Sequence, residues 1–226
     1  MTSTSRQFKD AIYGQFARIG QAIGSPRRLE LLDLLSQGPR TVEALARQAG
    51  QSIANTSHHL QVLRGAHLVE SEKEGLYVTY RLAGAEVDAF FLSLRQLAES
   101  RLAEVERITR DFFAERGAVE AVPGGLLLER VRGGEVTVLD VRPREEFDAA
   151  HIPGAISMPL NELEARLGEL PPGQDVVAYC RGPYCVLSAD AVAMLKAQGF
   201  TAFRMEEGLP EWRAQGNKIV AGPHEA

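Results

Sequence analysis

The chain is 226 residues long, 45% hydrophobic and 24% charged, with a net charge of −5. That length suits two compact domains, since domains typically run ~100–150 residues. No run approaches the ~18 consecutive apolar residues of a membrane span, and Met1 to Asp10 lacks the apolar stretch of a secretory signal, so the expected location is the cytoplasm and no membrane partner is expected.

Charge is uneven along the chain. Met1 to Arg81 carries ten Lys/Arg against seven Asp/Glu, whereas Ala118 to Ala226 carries ten against sixteen. A mildly basic front on an acidic rear fits a nucleic-acid-binding head joined to another kind of body. Only two cysteines occur, Cys180 and Cys185. A structural disulfide framework is excluded, and a redox or nucleophilic pair is the open question.

In chain order, Ile12, Phe16, Ile19 and Ile23 repeat with a helical period over Phe8–Ile23. Ser25-Pro26 supplies a cap and a first-turn proline for a second helix, with Leu29, Leu31, Leu32, Leu34 and Leu35 on its buried side. Gly38-Pro39 ends it. Thr41 caps a short helix that stops at Gly50, and Ser52 caps another running to about Ala66. Leu68–Glu72 and Leu76–Leu82, joined by Lys73-Glu74-Gly75, read as a β-hairpin. One long helix is then expected from Ala85 to about Arg116, extending ~48 Å at ~1.5 Å per residue. Its apolar stripe points to a symmetric copy of itself as partner, or to a bridge into a second domain.

Gly117 to Gly125 is the expected boundary, giving domains 1–117 and 118–226. Beyond it the expected strands are Val136–Val141, Val176–Tyr179 and Thr201–Met205. The expected helices are Leu126–Val131, Leu160–Leu167 and Val186–Gln198. Such alternation indicates an α/β domain with a mostly parallel sheet. The predicted fold class is therefore a mainly α winged helix–turn–helix followed by an α/β domain.

Three motifs in the first half carry a resemblance: Pro26-Arg27-Arg28-Leu29-Glu30-Leu31-Leu32, Ser57-His58-His59-Leu60-Gln61-Val62-Leu63-Arg64, and Gly65-Ala66-His67-Leu68-Val69. In this order they resemble the arsenic/zinc-repressor (ArsR/SmtB) family of winged-helix regulators. The resemblance implies a homodimer that binds double-stranded DNA at an inverted-repeat operator. Along Ser52–Ala66, Ile53, Leu60 and Leu63 are expected to point inward. Ser52, Asn55, Thr56, Ser57, His58, Gln61 and Arg64 supply the donors, acceptors and cations that base edges and phosphates require. Lys73 and Tyr77 fall where a wing approaches the DNA backbone or minor groove. The first 117 residues hold no cysteine and the long helix no histidine. The family's metal sites and persulfide-sensing cysteines are thus missing from this half, and neither a metal nor a cofactor is expected.

The second half, from about Leu126 to Ile219, resembles the rhodanese (sulfurtransferase) family. The likeness is carried by Leu139-Asp140-Val141-Arg142-Pro143-Arg144-Glu145-Glu146-Phe147, by His151-Ile152-Pro153-Gly154-Ala155-Ile156, and by Gly208-Leu209-Pro210-Glu211-Trp212. It implies a nucleophilic cysteine on a loop after a central strand, here Cys180, with the loop continuing Arg181-Gly182-Pro183-Tyr184-Cys185. A loop curling into a helix N-terminus favours thiolate, and Arg181 adds a cation. Sulfur from thiosulfate or a polysulfide would then be held as a Cys180 persulfide. Family enzymes commonly carry Arg, Lys or Thr five positions after the nucleophile, where this chain has Cys185. Cys185 is either a resolving thiol, capturing the persulfide as a tri- or tetrasulfide, or a small packed hydrophobe. Arg142, Glu145 and His151 are expected to brace the fold. Val186 stands where related arsenate reductases and phosphatases carry Arg, which argues against those activities.

The expected function is a transcriptional repressor that senses or transfers sulfane sulfur at Cys180. Two alternatives remain: a sulfurtransferase that uses its winged helix to dimerise or localise, and a metal- or arsenic-responsive repressor.

Overall fold

The computed structural model describes residues 3–116, 121–125, 130 and 135–222. The chain divides into two compact units, Met1–Phe91 and Leu92–Ala226. The boundary expected between 117 and 118 lies outside the described residues, as does the helix expected over Leu126–Val131 apart from Arg130.

The first unit runs α1 (Ser3–Ile23), α2 (Pro26–Ser36), β1 (Arg40–Thr41), α3 (Val42–Gln48), α4 (Ile53–Gly65), β2 (Val69–Glu74) and β3 (Tyr77–Leu82). Local chemistry explains its starts. Pro26 occupies the first turn of α2, where its missing N–H costs nothing. Thr41 Oγ1 accepts from the Ala44 N–H at 3.3 Å, and Ser52 Oγ accepts from the Asn55 N–H at 3.2 Å. Between α3 and α4, Gly50 takes a φ of +60°, a conformation that favours glycine. Leu31, Leu32, Leu45, Leu60 and Leu63 are almost wholly buried and form the centre of the core.

β2 and β3 pair antiparallel from Val69↔Leu82 to Glu74↔Tyr77, and β1 adds to the other edge of β3. The hairpin therefore reaches further than expected. Lys73 and Glu74 belong to β2, and the turn is Gly75-Leu76, with Gly75 at φ +59° as the first central residue.

The single helix expected from Ala85 to Arg116 is two helices, α5 (Ala85–Arg101) and α6 (Ala103–Glu115), separated by Leu102 in an extended conformation (φ −116°, ψ 97°). Neither Pro nor Gly lies near the break, so local propensity does not explain it. Packing does: Arg95 and Glu99 of α5 and Phe113 of α6 all contact the second unit's α/β layer.

That layer contains β4 (Ala121–Val122), β5 (Val136–Asp140), α7 (Arg144–Ala149), β6 (Ile156–Ser157), α8 (Leu163–Arg166), β7 (Asp175–Tyr179), α9 (Val186–Ala197), β8 (Ala202–Met205) and α10 (Leu209–Ala214). The sheet order is β4-β8-β7-β5-β6, and every pairing is parallel. Strand β7 is central and buried from Val176 to Tyr179, as expected for a parallel sheet covered on both faces. β4 and β6 have two residues each and show no period that a sequence could reveal.

Candidate functional site

The C-terminal end of a central parallel strand is where open α/β sheets place their reactive groups. Here β7 ends at Tyr179 and the next residue is Cys180, 2% exposed. The loop Cys180–Cys185 then feeds directly into α9, with Cys185 as its N-cap. Ser188, in the first turn of α9 and 1% exposed, places its Oγ 3.2 Å from Cys180 Sγ. Burial alone would push this thiol up. Hydrogen bonds from the Cys185 thiol, the Ser188 hydroxyl and the Ser188 and Gly182 backbone outweigh it and lower the Cys180 pKa. Donating that hydrogen bond to Cys180, together with burial, pushes the Cys185 thiol well up. The two thiols are thus driven apart, Cys180 towards the thiolate and Cys185 towards the neutral thiol. Both cysteines are free.

The rest of the loop is held at several points. Arg181 forms a two-point ion pair with Glu146 of α7, at 2.6 Å and 3.1 Å, and the Glu146 carboxylate is fully buried. Arg181 is thus shared between Glu146, its main partner, and the two sulfurs, whose charge it also feels. Gly208 lies against the Arg181–Gly182 backbone so closely that a Cβ would collide with it, which explains a glycine at the start of α10. Tyr184 donates its hydroxyl proton to Glu99 of α5 at 2.6 Å. Arg95, one turn earlier on α5, pairs with Glu211 of α10. Behind the loop is a cavity of about 640 Å³ whose walls include Arg95, Glu99, Phe113, Tyr184 and Arg204.

Of the other conspicuous residues, Arg142 is fully buried and forks onto Asp140 at 2.6–3.2 Å. Tyr179 Oη donates to the same Asp140 at 2.5 Å. His151 stacks on Phe147 with ring centroids 3.7 Å apart, and its Nδ1 meets the Phe147 carbonyl. None of these groups faces the sulfur. Glu145 is exposed. Among the described residues no three His, Cys, Asp or Glu side chains gather as a metal site, and no helix is long and apolar enough to cross a membrane.

On α4, Ser52, Asn55, His58, Gln61 and Arg64 are exposed and Ser57 is half-buried. Arg64 donates to Ser71 of β2 at 3.0 Å. Thr56, expected among the base-reading residues, is instead completely buried. It shares the inward face with Leu60 and Leu63, at helical spacings of four and seven. Ile53, expected inside, is 55% exposed at the first residue of the helix. The two exchange roles because the core contact begins one turn into α4. In the wing, Lys73 is exposed and Tyr77 is 62% exposed.

Sequence reasoning missed Ser188 and Arg204, and it named Glu146 and Gly208 within motifs without giving either a role at the loop. For Ser188 and Arg204 a signal existed: each is a polar residue in a short, otherwise apolar stretch, Val186–Ala197 and Ala202–Met205.

Comparison with known proteins agrees with this arrangement. Residues 25–71 match the model of bacterial regulatory proteins of the arsR family, and residues 125–215 match the rhodanese-like domain. An HTH-type transcriptional regulator of Mycobacterium tuberculosis, Rv0324, is 42% identical over 95% of this chain and 94% of its own length. A sulfurtransferase of Allochromatium vinosum is 33% identical over 38% of this chain and 80% of its own length. Among solved structures, the homodimeric winged helix-turn-helix DNA-binding domain of Mb0332 from Mycobacterium bovis covers 42% of this chain and 87% of its own, at 41% identity and a TM-score of 0.40. With winged helix and rhodanese-like layer matched in order across nearly the full length of a relative, the chain belongs to the HTH-type transcriptional regulators of the arsR family that carry a C-terminal rhodanese-like domain.

Proposed function

We propose that the protein binds operator DNA as a homodimer and that its affinity depends on the sulfur state of Cys180. The observation that carries this reading is the hydrogen bond from Tyr184, inside the reactive loop, to Glu99 on α5. The same helix supplies Val87 and Phe91 to the core of the first unit. A loop that changes shape on loading therefore acts on a helix whose first residues, up to Phe91, are part of the first unit. Such coupling requires the loop states to differ in energy between free and DNA-bound protein.

The chemistry runs on the polarised thiol pair. The Cys180 thiolate takes the outer sulfur of a donor such as thiosulfate or a polysulfide and holds it as a persulfide. Cys185, whose carbonyl lies 3.6 Å from that sulfur, is the resolving thiol. With a polysulfide the electrons balance without another oxidant: two thiols and one hydrogen trisulfide give a trisulfide bridge and two hydrogen sulfide. Closing the bridge displaces Arg181–Tyr184 and releases the Tyr184 contact.

Dimerisation is supported by apolar side chains left open on the described chain. Phe8, Tyr13 and Phe16 of α1 are 64–67% exposed, and Leu97 of α5 and Ile108 of α6 are 56% and 64% exposed. Side chains of this size, grouped on helix faces, mark an association surface. DNA is met by α4 and the wing, with Ile53 offering an apolar contact for a thymine methyl beside Asn55 and Gln61.

A duplex-binding titration with reduced and then polysulfide-treated protein tests the reading. Wild type changes affinity on treatment and Cys180→Ser does not. Absence of duplex binding at low salt, or an unchanged response in Cys180→Ser, overturns it. Retained sulfur transfer with no DNA binding would favour the sulfurtransferase alternative.

A further inference from the structure

The position five residues after Cys180 holds Cys185, not a cation, and Arg181 is paired with Glu146. The site contains a further cation, and it comes from another strand. Arg204 lies on β8 opposite Ala178 in the β7–β8 ladder. Paired residues project from the same face of a sheet, and side chains two apart on a strand share a face. Arg204 thus stands on the face that carries Val176, Ala178 and, just beyond, Cys180, which pack together in one cluster.

The surroundings of Arg204 are unusual for a charge. It is 6% exposed, and no carboxylate lies within ion-pair distance among the described residues. Its Nε has no hydrogen-bond partner. Nη1 reaches only the Pro183 carbonyl of the reactive loop, at 3.4 Å, and the guanidinium sits 4.1 Å over the Phe113 ring. A buried guanidinium without a counter-ion is costly, and one that persists is offset by an anion. Burial lowers the Arg204 pKa, and the negative groups that partly offset this are Cys180 first, then Glu206 and Cys185. Glu206 is exposed and forms no ion pair with it, which leaves the sulfur as the anion at hand.

We infer that Arg204 is the anion-holding residue of the Cys180 site, a positioning residue whose guanidinium steadies the charge on the thiolate, on the incoming donor and on the persulfide. The inference rests on the sulfur-loading reading above. During loading the Cys180 thiolate attacks the outer sulfur of thiosulfate, the donor's S–S bond breaks, and sulfite leaves with the electron pair. Cys180 carries one negative charge before and after, but in between a dianion must approach an anion. A cation on the same sheet face lowers that repulsion. A neutral reagent at the same sulfur gains far less from it.

The experiment compares charged and neutral reagents at Cys180 in the full chain, using wild type, Arg204→Gln and Arg204→Lys. Peptide mass spectrometry reads the rates for iodoacetamide, iodoacetate and thiosulfate. In Arg204→Gln, iodoacetate and thiosulfate lose about tenfold or more, on the scale of losing an oxyanion-stabilising group. Iodoacetamide slows less, and Arg204→Lys recovers most of the anion rates. Equal losses for neutral and anionic reagents, or no loss, overturn the inference. If circular dichroism shows Arg204→Gln unfolded, Arg204→Met takes its place: a fall in the ratio of iodoacetate to iodoacetamide rates supports the role, and the wild-type ratio overturns it. If wild type takes no sulfur from thiosulfate or polysulfide, the sulfur reading fails, while the two alkylating reagents still judge Arg204.

Discussion

Two opposing effects meet on the Cys180 sulfur. Burial favours the neutral thiol, and hydrogen bonds from Cys185, Ser188 and the loop backbone favour the thiolate and prevail. A thiol whose pKa is lowered stays reactive as pH falls below the ordinary value of ~8.5, and reactivity is lost only on passing through the lowered value. At neutral pH iodoacetamide should therefore modify Cys180 well ahead of Cys185, whose pKa is raised. Ser188→Ala should move the Cys180 reactivity profile to higher pH without changing its plateau, and an unmoved profile would rule out the hydroxyl. Away from the sulfur, Asp140→Asn leaves Arg142 fully buried without its carboxylate. Breaking such a pair costs about 3–5 kcal/mol, readable as a lowered midpoint in urea. Cys180 was legible in the sequence because strand, loop and helix are contiguous around it. Glu146 and Arg204 were not, because each reaches the loop from a different element and only the folded sheet brings them there.

At the scale of elements, the reactive loop, α5 and α10 form one connected group through Tyr184–Glu99 and Arg95–Glu211. Tyr184→Phe removes the bond to α5 but leaves both thiols. It should load sulfur at the wild-type rate while its DNA affinity responds less to polysulfide, and an undiminished response would show that the signal leaves the loop elsewhere. In the winged helix, Lys73→Ala should weaken binding to all sequences alike and reduce the salt slope by about 1. Gln61→Ala should instead cost about 1–3 kcal/mol at particular bases. Binding measured on operator and scrambled duplexes across a salt series separates the two. Helix starts and the hairpin were readable locally because caps and glycines act over a few residues. The break at Leu102 was not, since no Pro or Gly marks it and the helices on either side contact partners distant in sequence.

For the molecule as a whole, symmetric association predicts binding to an inverted repeat with half-sites about 34–36 Å apart, one turn of duplex. Binding should fall steeply with salt as counterions are released. Charge substitutions at Phe16 and Leu97 should give a monomer in sedimentation that binds a full site no better than a half-site. A variant that stays dimeric would move the interface away from those faces.

Several features follow from the sequence by itself: two domains of different texture, a winged helix ahead of a parallel α/β layer, and a cysteine at the end of a central strand. Each rests on periodicity, caps or contiguous motifs, which are local. The tertiary structure alone decided that Thr56 is core and Ile53 is surface, that the long helix breaks at Leu102, and that Arg181 is paired with Glu146. It also brought Ser188 and Arg204 to the sulfur's neighbourhood. Those outcomes depend on which face a neighbouring element covers and which charges meet across the sheet, and no local pattern encodes either.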